Sequence, residues 1–208
     1  MNLQQALDAL SAIPPVEWTA VALALAYLVL AVLQHIACWL FAASSSAIFL
    51  WLFARADLLM QAALQVFYIA MAAYGWYSWR GGLSAVQASR PVVRWPARRH
   101  LVAIGGIVLL SAVSGWLSAS ETTAAVRYVD ALTAWGSVIA TWLVARKVLE
   151  NWLYWIVLDC AAAGLYWSQG LIATAVLFVL YSAIAVQGYR SWRSSVSASQ
   201  PGAAAALR

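Results

Sequence analysis

Charged side chains are scarce in this chain, since only 9% of its 208 residues are Asp, Glu, Lys or Arg. Apolar residues make up 65% of the sequence, and its mean hydropathy is +0.81. A soluble domain carries about 25% charged residues, so the scarcity excludes a soluble domain of ordinary composition. The composition instead predicts an integral membrane protein. At about 20 residues for each spanning helix, the chain has room for seven short spans and little mass outside the bilayer.

Cysteine and histidine are also rare, with two of each. Cys38 and Cys160 lie in apolar runs without the spacing of metal ligands, which predicts buried free thiols and neither a metal nor a cofactor. An intramembrane enzyme would need a metal cluster, a Ser/Lys or Ser/His pair, or two facing carboxylates. This sequence has two distant histidines, one deep carboxylate and no deep lysine, so it fits none of these arrangements. The N-terminus lacks the basic start and small-residue cleavage site of a signal peptide, so the first apolar segment is predicted to stay as a span.

Prolines, glycines and charges divide the chain into helical repeats and connecting segments. The predicted segments are an N-terminal lead-in at 1–15, a first three-helix repeat at 16–79, a basic cytoplasmic loop at 80–100, a linker helix with an outer loop at 101–123, a second three-helix repeat at 124–193 and a disordered cytoplasmic tail at 194–208. The loop contains five arginines and two prolines, which favours a cytoplasmic linker over a nucleic-acid-binding patch.

An internal repeat determines the predicted architecture. Residues 64–80 align with residues 177–193 without a gap at an offset of 113, and nine of the 17 positions are identical. The same offset pairs Trp39 with Trp152. Two three-helix units joined by one linker helix account for seven helices. A three-helix unit would leave the next unit inverted in the membrane, and the linker helix returns the second unit to the orientation of the first. The predicted fold is therefore all-α, with two parallel repeats in a 3+1+3 order.

The distribution of basic residues predicts the orientation in the membrane. Seven spans collect ten lysines and arginines on the side of the C-terminus and leave Arg55 and Arg127 on the other side. Basic residues are enriched on the cytoplasmic side, so the N-terminus is expected outside and the C-terminus in the cytoplasm. The net charge of +5 follows from this asymmetry and does not imply an anionic substrate.

One carboxylate lies deep inside an apolar segment, and it marks the candidate site. Asp159 is the only charged residue between positions 153 and 189. A charge at membrane depth is expensive and predicts a function. On a helix Trp152, Trp155, Asp159 and Tyr166 follow at i, i+3, i+7 and i+14, which puts two indoles, a carboxylate and a phenol along one stripe.

Polar residues elsewhere extend the candidate site, and each also has a structural interpretation. Gln65 and Tyr68 belong to a polar stripe on the third span, where they could instead bond or pack against a neighbouring helix. Asn151 begins the sixth span and could simply cap it. Trp152 could be an interfacial aromatic residue. Asp159 could be a structural ion-pair or hydrogen-bond partner within the bundle.

Two runs of the sequence resemble those of the PnuC nicotinamide riboside transporters. The first is Leu-Gln-Val-Phe-Tyr at 64–68 with Tyr-Gly-Trp-Tyr-Ser-Trp at 74–79, and the second is Glu-Asn-Trp-Leu-Tyr-Trp-Ile-Val-Leu-Asp at 150–159. The resemblance covers roughly residues 16–193 and implies a SWEET-like fold in a bacterial-type cytoplasmic membrane, with a homotrimer as the suspected assembly. It also implies facilitated diffusion of nicotinamide riboside, which a separate kinase then traps. Thiamine and riboflavin remain alternatives because related members carry them.

The sequence and the resemblance together give a set of expected substrate contacts. Trp155, Asp159 and Gln65 are expected to bind the solute near the midplane between the repeats. The wider set of expected contacts adds Trp152, Tyr68, Asn151, Tyr166 and Trp39. A structural or assembly membrane protein is the alternative from another class. It would explain the small-residue helices but not the polar stripes.

Overall fold

A computed structural model describes residues 14–80, 90–117, 124–168, 170 and 172–198. Within these ranges the chain forms seven helices, and the only extended pairing is one isolated bridge. The helices are α1 (Pro15–Val32), α2 (Cys38–Arg55), α3 (Leu59–Trp79), α4 (Ala97–Leu117), α5 (Ala124–Ala145), α6 (Asn151–Ser168) and α7 (Ile172–Ala198). The predicted all-helical membrane fold class is confirmed.

Four helices are long and apolar enough to cross a membrane, judged by length and composition: α1, α2, α4 and the part of α5 from Val126 to Ala145. The other three described helices, α3, α6 and α7, contain 21, 18 and 27 residues. At 1.5 Å per residue even the shortest spans about 27 Å, close to the thickness of the hydrocarbon core. Glutamine, asparagine, aspartate and aromatic side chains make α3 and α6 less apolar, and these side chains include candidate site residues.

Two predicted boundaries are corrected. Helix α4 begins at Ala97, directly after Pro96, so the basic loop ends before residue 100. Proline is well suited to the start of a helix because its missing N–H would have no partner there. Helix α7 continues to Ala198, so residues 194–198 are helical and do not belong to a disordered tail. Residues 1–13, 81–89, 118–123 and 199–208 of the predicted lead-in, loops and tail lie outside the described residues.

Helix boundaries repeat at the offset of 113 that the sequence alignment uses. Helix α2 occupies residues 38–55, and α6 occupies residues 151–168, which is the same interval shifted by 113. The starts of α3 and α7 are at residues 59 and 172, and the ends of α1 and α5 are at residues 32 and 145. Each pair again differs by 113. The local structure therefore repeats in helices where few residues are identical.

The turns that end α1 and α5 have the same backbone geometry. Gln34 and Lys147, which correspond at this offset, both adopt positive φ angles, 57° and 50°. After each, an N–H reaches back to the carbonyl five residues earlier, from His35 to Leu30 at 2.9 Å and from Val148 to Leu143 at 3.0 Å. This is the Schellman closure, which satisfies carbonyls at a helix end. Both turns then lead into a new helix within four residues.

A tryptophan against a glycine forms the packing core of each repeat. Trp39 lies over Gly75, and its counterpart Trp152 lies over Gly188. Each ring also meets a second tryptophan edge-on. The centroids are 5.4 Å apart for Trp39 and Trp79, and 5.5 Å apart for Trp152 and Trp192. These four tryptophans are at most 2% exposed. Glycine is needed because any Cβ there would occupy the space of the ring.

The chain divides into two units, Met1–Ser89 and Arg90–Arg208. In the first unit α2 packs against both α1 and α3. Ser45 supports the α1–α2 contact, because its buried hydroxyl donates to the carbonyl of Ala20 at 2.8 Å. In the second unit each helix from α4 to α7 packs against the next one.

Candidate functional site

The α6 stripe lies in the second unit and is most deeply buried at its first and third members. Trp152 is 1% exposed and Asp159 is 6% exposed, while Trp155 and Tyr166 are half-buried. Leu158, beside Asp159 in sequence, packs on Gly136 of α5, which lets the two helices approach closely. The helix therefore presents indole and carboxylate groups from a backbone that is firmly packed.

Asp159 has no compensating charge within the part of the chain that the structure describes. Neither of the two ion pairs found there involves its carboxylate, and no hydrogen bond joins that carboxylate to another described residue. Tyr181 of α7 is close enough to interact electrostatically with it. Burying an unpaired carboxylate is costly, so Asp159 stays the predicted centre of the site. The structural interpretation of Asp159 as an ion-pair partner has no support among the described residues.

Two further polar atoms at the start of α6 lack partners among the described residues. The side-chain amide of Asn151 donates to the carbonyl of Val148 at 2.6 Å, but its Oδ1 is buried without a hydrogen bond. The indole N–H of Trp152 is also buried and unpaired. Leaving such a group unsatisfied costs about 1–3 kcal/mol. A water or solute that bonded these atoms would recover that cost.

Tyr166 is too far along α6 to share a small ligand with Trp152. The two residues are separated by 14 positions, which is about 21 Å along a helix. Tyr166 stacks on Phe178 of α7, with ring centroids 5.4 Å apart and an angle of 19° between planes. Phe178 in turn meets Tyr181 edge-on at 5.8 Å. Tyr166 thus supports the aromatic packing near Asp159, and the stripe is longer than one binding site.

The first unit holds the remaining candidates, Trp39, Gln65 and Tyr68. Trp39 contacts Tyr27 at 6.1 Å between centroids, and its indole N–H is buried without a hydrogen-bond partner among the described residues, as in Trp152. Gln65 is half-buried and forms no hydrogen bond to another described residue. Tyr68 lies one turn further along α3, is half-buried and meets Phe67 edge-on, with 5.7 Å between ring centroids.

The position of Asp159 is not acidic in the first unit. The repeat offset assigns Ser46 to it, a buried residue that is 7% exposed. The two halves share tryptophan–glycine cores but differ in charge at this depth. The two units therefore differ chemically at this position even though the backbone repeats.

A polar cluster that the sequence did not predict lies just before α6. Glu150 accepts a hydrogen bond from the Arg94 guanidinium at 3.0 Å and one from the Trp95 backbone N–H at 3.2 Å. His100 lies 3.8 Å from the same carboxylate and forms a 3.0 Å hydrogen bond with the Tyr154 hydroxyl. The partners are separated by more than 50 positions, so no local pattern could reveal them.

Backbone hydrogen bonds attach this cluster to the turn between α5 and α6. The Val93 N–H donates to the carbonyl of Lys147 at 2.9 Å, and the Leu149 N–H donates to the carbonyl of Val93 at 2.8 Å. The segment after residue 90 is thus fixed beside the start of α6, where the sequence suggested only a linker.

Cysteines and possible metal ligands complete the survey of the described residues. Both cysteines are free; Cys38 is buried as predicted, but Cys160 is exposed on the isolated chain and lies 3.6 Å from the Ser182 hydroxyl. No group of three His, Cys, Asp or Glu side chains in the described ranges could hold a metal ion.

The apolar helices and the buried polar groups of α6 are features of a multi-pass membrane protein that handles a polar solute. A model of the nicotinamide mononucleotide transporter family matches residues 14–194. The chain therefore belongs to this family, whose members include the PnuC transporters. The predicted PnuC resemblance is confirmed.

Two characterised relatives and one solved structure are similar to this chain. The nicotinamide riboside transporter PnuC of Escherichia coli (strain K12) is 28% identical over 191 residues, which cover 80% of each chain. The riboflavin/roseoflavin transporter RibM of Streptomyces davaonensis is 27% identical over 134 residues, which cover 63% of this chain and 62% of RibM. The crystal structure of the vitamin B3 transporter PnuC shares the fold, with a TM-score of 0.66 and 20% identity over 88% of this chain and 82% of that one.

Proposed function

We propose that this chain carries nicotinamide riboside across the cytoplasmic membrane and that Asp159 and Trp155 bind the solute. The observation that carries the proposal is the buried carboxylate of Asp159, which has no ion-pair or hydrogen-bond partner among the described residues. The relative named as a nicotinamide riboside transporter supports the choice of solute. The chain is proposed to move this solute unchanged, without enzymatic activity.

The chemistry of nicotinamide riboside matches these two side chains. Its pyridinium ring is flat and positively charged, and its ribose carries vicinal hydroxyl groups. An indole face attracts such a ring through stacking and a cation–π contribution of about 0.5–2 kcal/mol. A carboxylate opposes the positive charge and accepts hydrogen bonds from hydroxyls, and bonds to an ionised acceptor are about twice as strong as neutral ones. Trp155 and Asp159 are one helical turn apart, so one solute can reach both.

The other expected contacts enter the proposal with more limited roles. Asn151 and Trp152 would offer an amide oxygen and an indole N–H that have no partner among the described residues. Gln65, Tyr68 and Trp39 of the first unit stay predicted substrate contacts from the sequence. We infer that Tyr166 acts through packing, because it stacks on Phe178.

The first test replaces the charge of Asp159 while keeping its shape. We expect Asp159→Asn to weaken binding of nicotinamide riboside about tenfold or more, the factor given by ~1.4 kcal/mol, and to weaken binding of a neutral riboside analogue less. Asp57→Asn, at an exposed acid between α2 and α3, is the matched control and should leave both affinities unchanged. Affinity and melting temperature are measured on purified protein. An unchanged affinity in folded Asp159→Asn protein would remove this residue from the site.

The second test removes the stacking surface. Trp155→Ala should weaken binding of both the cationic and the neutral riboside, because stacking area is lost whatever the charge. Trp167→Ala is the control, since that indole lies on the same helix and is 63% exposed. Equal effects of the two substitutions would indicate general destabilisation of α6 and would contradict a stacking role for Trp155.

Riboflavin is the second candidate solute, because the RibM relative is named as a riboflavin/roseoflavin transporter. Isoalloxazine is also flat but carries no permanent positive charge, so Asp159→Asn should affect its binding little. Thiamine is a further alternative from the resemblance, and it carries a positive charge like nicotinamide riboside.

A competition binding assay with all three vitamins identifies the solute. Uptake of labelled solute into proteoliposomes tests the alternative of a purely structural or assembly protein, which would show no uptake.

Transport is proposed to be facilitated diffusion followed by trapping of the product by a separate kinase. Asp159 belongs to no group of three His, Cys, Asp or Glu side chains among the described residues, so it offers few ligands for a coupling cation such as sodium. In proteoliposomes, net uptake of the solute should therefore stop when its inside and outside concentrations are equal. Accumulation above that level, driven by a proton or sodium gradient, would refute facilitated diffusion.

The proposed orientation has the N-terminus outside and the C-terminus in the cytoplasm. A reporter after Arg208 and another near Val92 should then both be cytoplasmic, because they follow an odd number of helices. An external signal from either reporter would contradict this topology.

A further inference from the structure

An apolar groove of about 680 Å³ lies between α4 and α5 in the second unit. Val102, Gly106 and Ile107 line it from α4, while Trp135 and Ile139 line it from α5. A Cβ at Gly106 would meet nothing within 4 Å, so the groove is open beside that residue. The volume is large enough for part of a hydrocarbon chain.

Helix α4 is peripheral to its unit. It packs chiefly against α5, and its large apolar side chains face outward. Leu101, Leu109 and Trp116 are 70%, 64% and 78% exposed, respectively. In a multi-pass membrane protein such a face lies against lipid or another protein, and an open groove on it leaves space for an apolar chain.

A small basic pocket adjoins the end of the groove at the start of α4. It has a volume of about 200 Å³, and four arginines line it: Arg90, Arg94, Arg99 and Arg146. The pocket and the groove share Trp95 and Arg99. Glu150 balances one of the four guanidinium groups through its ion pair with Arg94. Arg99 of this pocket forms no ion pair with another described residue, so it offers positive charge that attracts an anion.

Two arginines beside this junction lack an acidic partner. Arg98 and Arg99 both line the groove, and neither forms an ion pair with another described residue. The Arg99 guanidinium lies over the Trp95 ring, 5.9 Å from its centroid. Positive charge therefore lies beside the apolar groove at the start of α4. That combination matches a molecule with an anionic head and a hydrocarbon tail.

We propose that this junction binds an anionic phospholipid, whose phosphate lies in the basic pocket and whose acyl chain lies in the groove between α4 and α5. Guanidinium groups bind phosphate oxygens with paired hydrogen bonds, and basic pockets between membrane helices are suited to acidic headgroups. A free phosphate would fill the pocket but leave the groove empty. A second copy of the chain could cover the groove but would leave Arg98 and Arg99 uncompensated. The proposal does not depend on which vitamin is transported.

The first experiment measures lipid binding by the full chain with native mass spectrometry and thermal melting. Phosphatidylglycerol and phosphatidylcholine with identical acyl chains are titrated into delipidated protein in detergent. We expect phosphatidylglycerol to remain bound and to raise the melting temperature more than phosphatidylcholine. The double variant Arg98→Gln, Arg99→Gln should bind phosphatidylglycerol on the order of 30-fold more weakly, from about fivefold for each arginine near an anionic lipid. Arg55→Gln is the control and should leave lipid affinity unchanged, since Arg55 lies over Trp51 in the first unit.

The second experiment fills the groove without changing charge. Gly106→Leu places a side chain in the groove and should reduce retention of phosphatidylglycerol by at least about tenfold. Gly105→Leu is the matched control, because a Cβ there also meets nothing within 4 Å but the residue does not line the groove. This pair keeps the proposal testable even if the double arginine variant does not fold.

Four results would overturn the proposal. Equal binding of the two lipids would show that charge is not recognised. Equal stabilisation by inorganic phosphate or glycerol phosphate would indicate a soluble anion site. Loss of lipid binding in Gly105→Leu but not in Gly106→Leu would exclude the groove. The fourth result is association of protomers without any retained lipid. If neither phosphatidylglycerol nor Gly106→Leu changed that association, the proposed lipid site would be wrong.

Discussion

Adding one methyl group at Gly188 should destabilise the protein, because the tryptophan above it has no room to move. A Cβ built at this position would lie 2.6 Å from two ring atoms of Trp152. Carbon atoms prefer about 3.5–4.0 Å, so the ring must move by about 1 Å. Trp152 is 1% exposed, and its edge-on partner Trp192 is fully buried. We therefore expect Gly188→Ala to cost about 1–3 kcal/mol, the usual range for overpacking.

Thermal melting of the purified protein checks this expectation. A chain of this size loses roughly 2–4 °C for each kcal/mol, so Gly188→Ala should melt roughly 2–12 °C lower than the parent. Gly75→Ala should behave in the same way, since its Cβ would overlap the ring of Trp39. Gly164→Ala on α6 is the control, because nothing lies within 4 Å of its added Cβ. That change should be neutral or stabilise the helix by up to about 1 kcal/mol.

The refuting result is equally specific. If Gly188→Ala melted at the same temperature as Gly164→Ala, the tryptophan–glycine contact would not restrict the ring. If only one of Gly188→Ala and Gly75→Ala were destabilising, the two repeats would not share the same packing core.

Two more predictions concern the turns and the cluster before α6. Gly170→Ala should destabilise the protein by about 1–2 kcal/mol, because Gly170 has a φ of +77° that alanine adopts only with strain. Asp57 occupies the corresponding position with a φ of 57°, so Asp57→Gly should stabilise the protein by up to about 1 kcal/mol. Equal shifts of the melting temperature with the same sign would refute this expectation. Glu150→Gln should lower the melting temperature more than Arg94→Gln does, since it weakens the bonds to both Arg94 and Trp95, and the Arg94 side chain is 63% exposed and can turn to water. The opposite order would show that the ion pair, and not the backbone bond, holds this segment.

Hydropathy and internal repetition, which can both be read from the sequence alone, determined much of the fold before any contact was known. The low charge content predicted a helical membrane protein, and the described helices confirm that class. The offset of 113 found at 64–80 also relates the ends of helices whose sequences differ, and the turns after α1 and α5 share a positive φ angle at corresponding positions. A carboxylate in an apolar run identified Asp159 as a candidate, although its role is still a prediction. Helix ends were less accurate, since α7 continues through serines that the composition assigned to a disordered tail.

Only the tertiary structure decided which polar groups find partners. Arg94 and Glu150 are 56 positions apart, and their pairing depends on how the segment after residue 90 packs beside the α5–α6 turn. The indole N–H of Trp152 and the carboxylate of Asp159 likewise lack partners because no described residue of a neighbouring helix places a hydrogen-bonding or charged group in position to bond them. A periodic pattern specifies which face of a helix a residue occupies, but it carries no information on which distant side chain meets that face. Long-range packing supplies that information, and it alone brings a basic pocket to the end of an apolar groove.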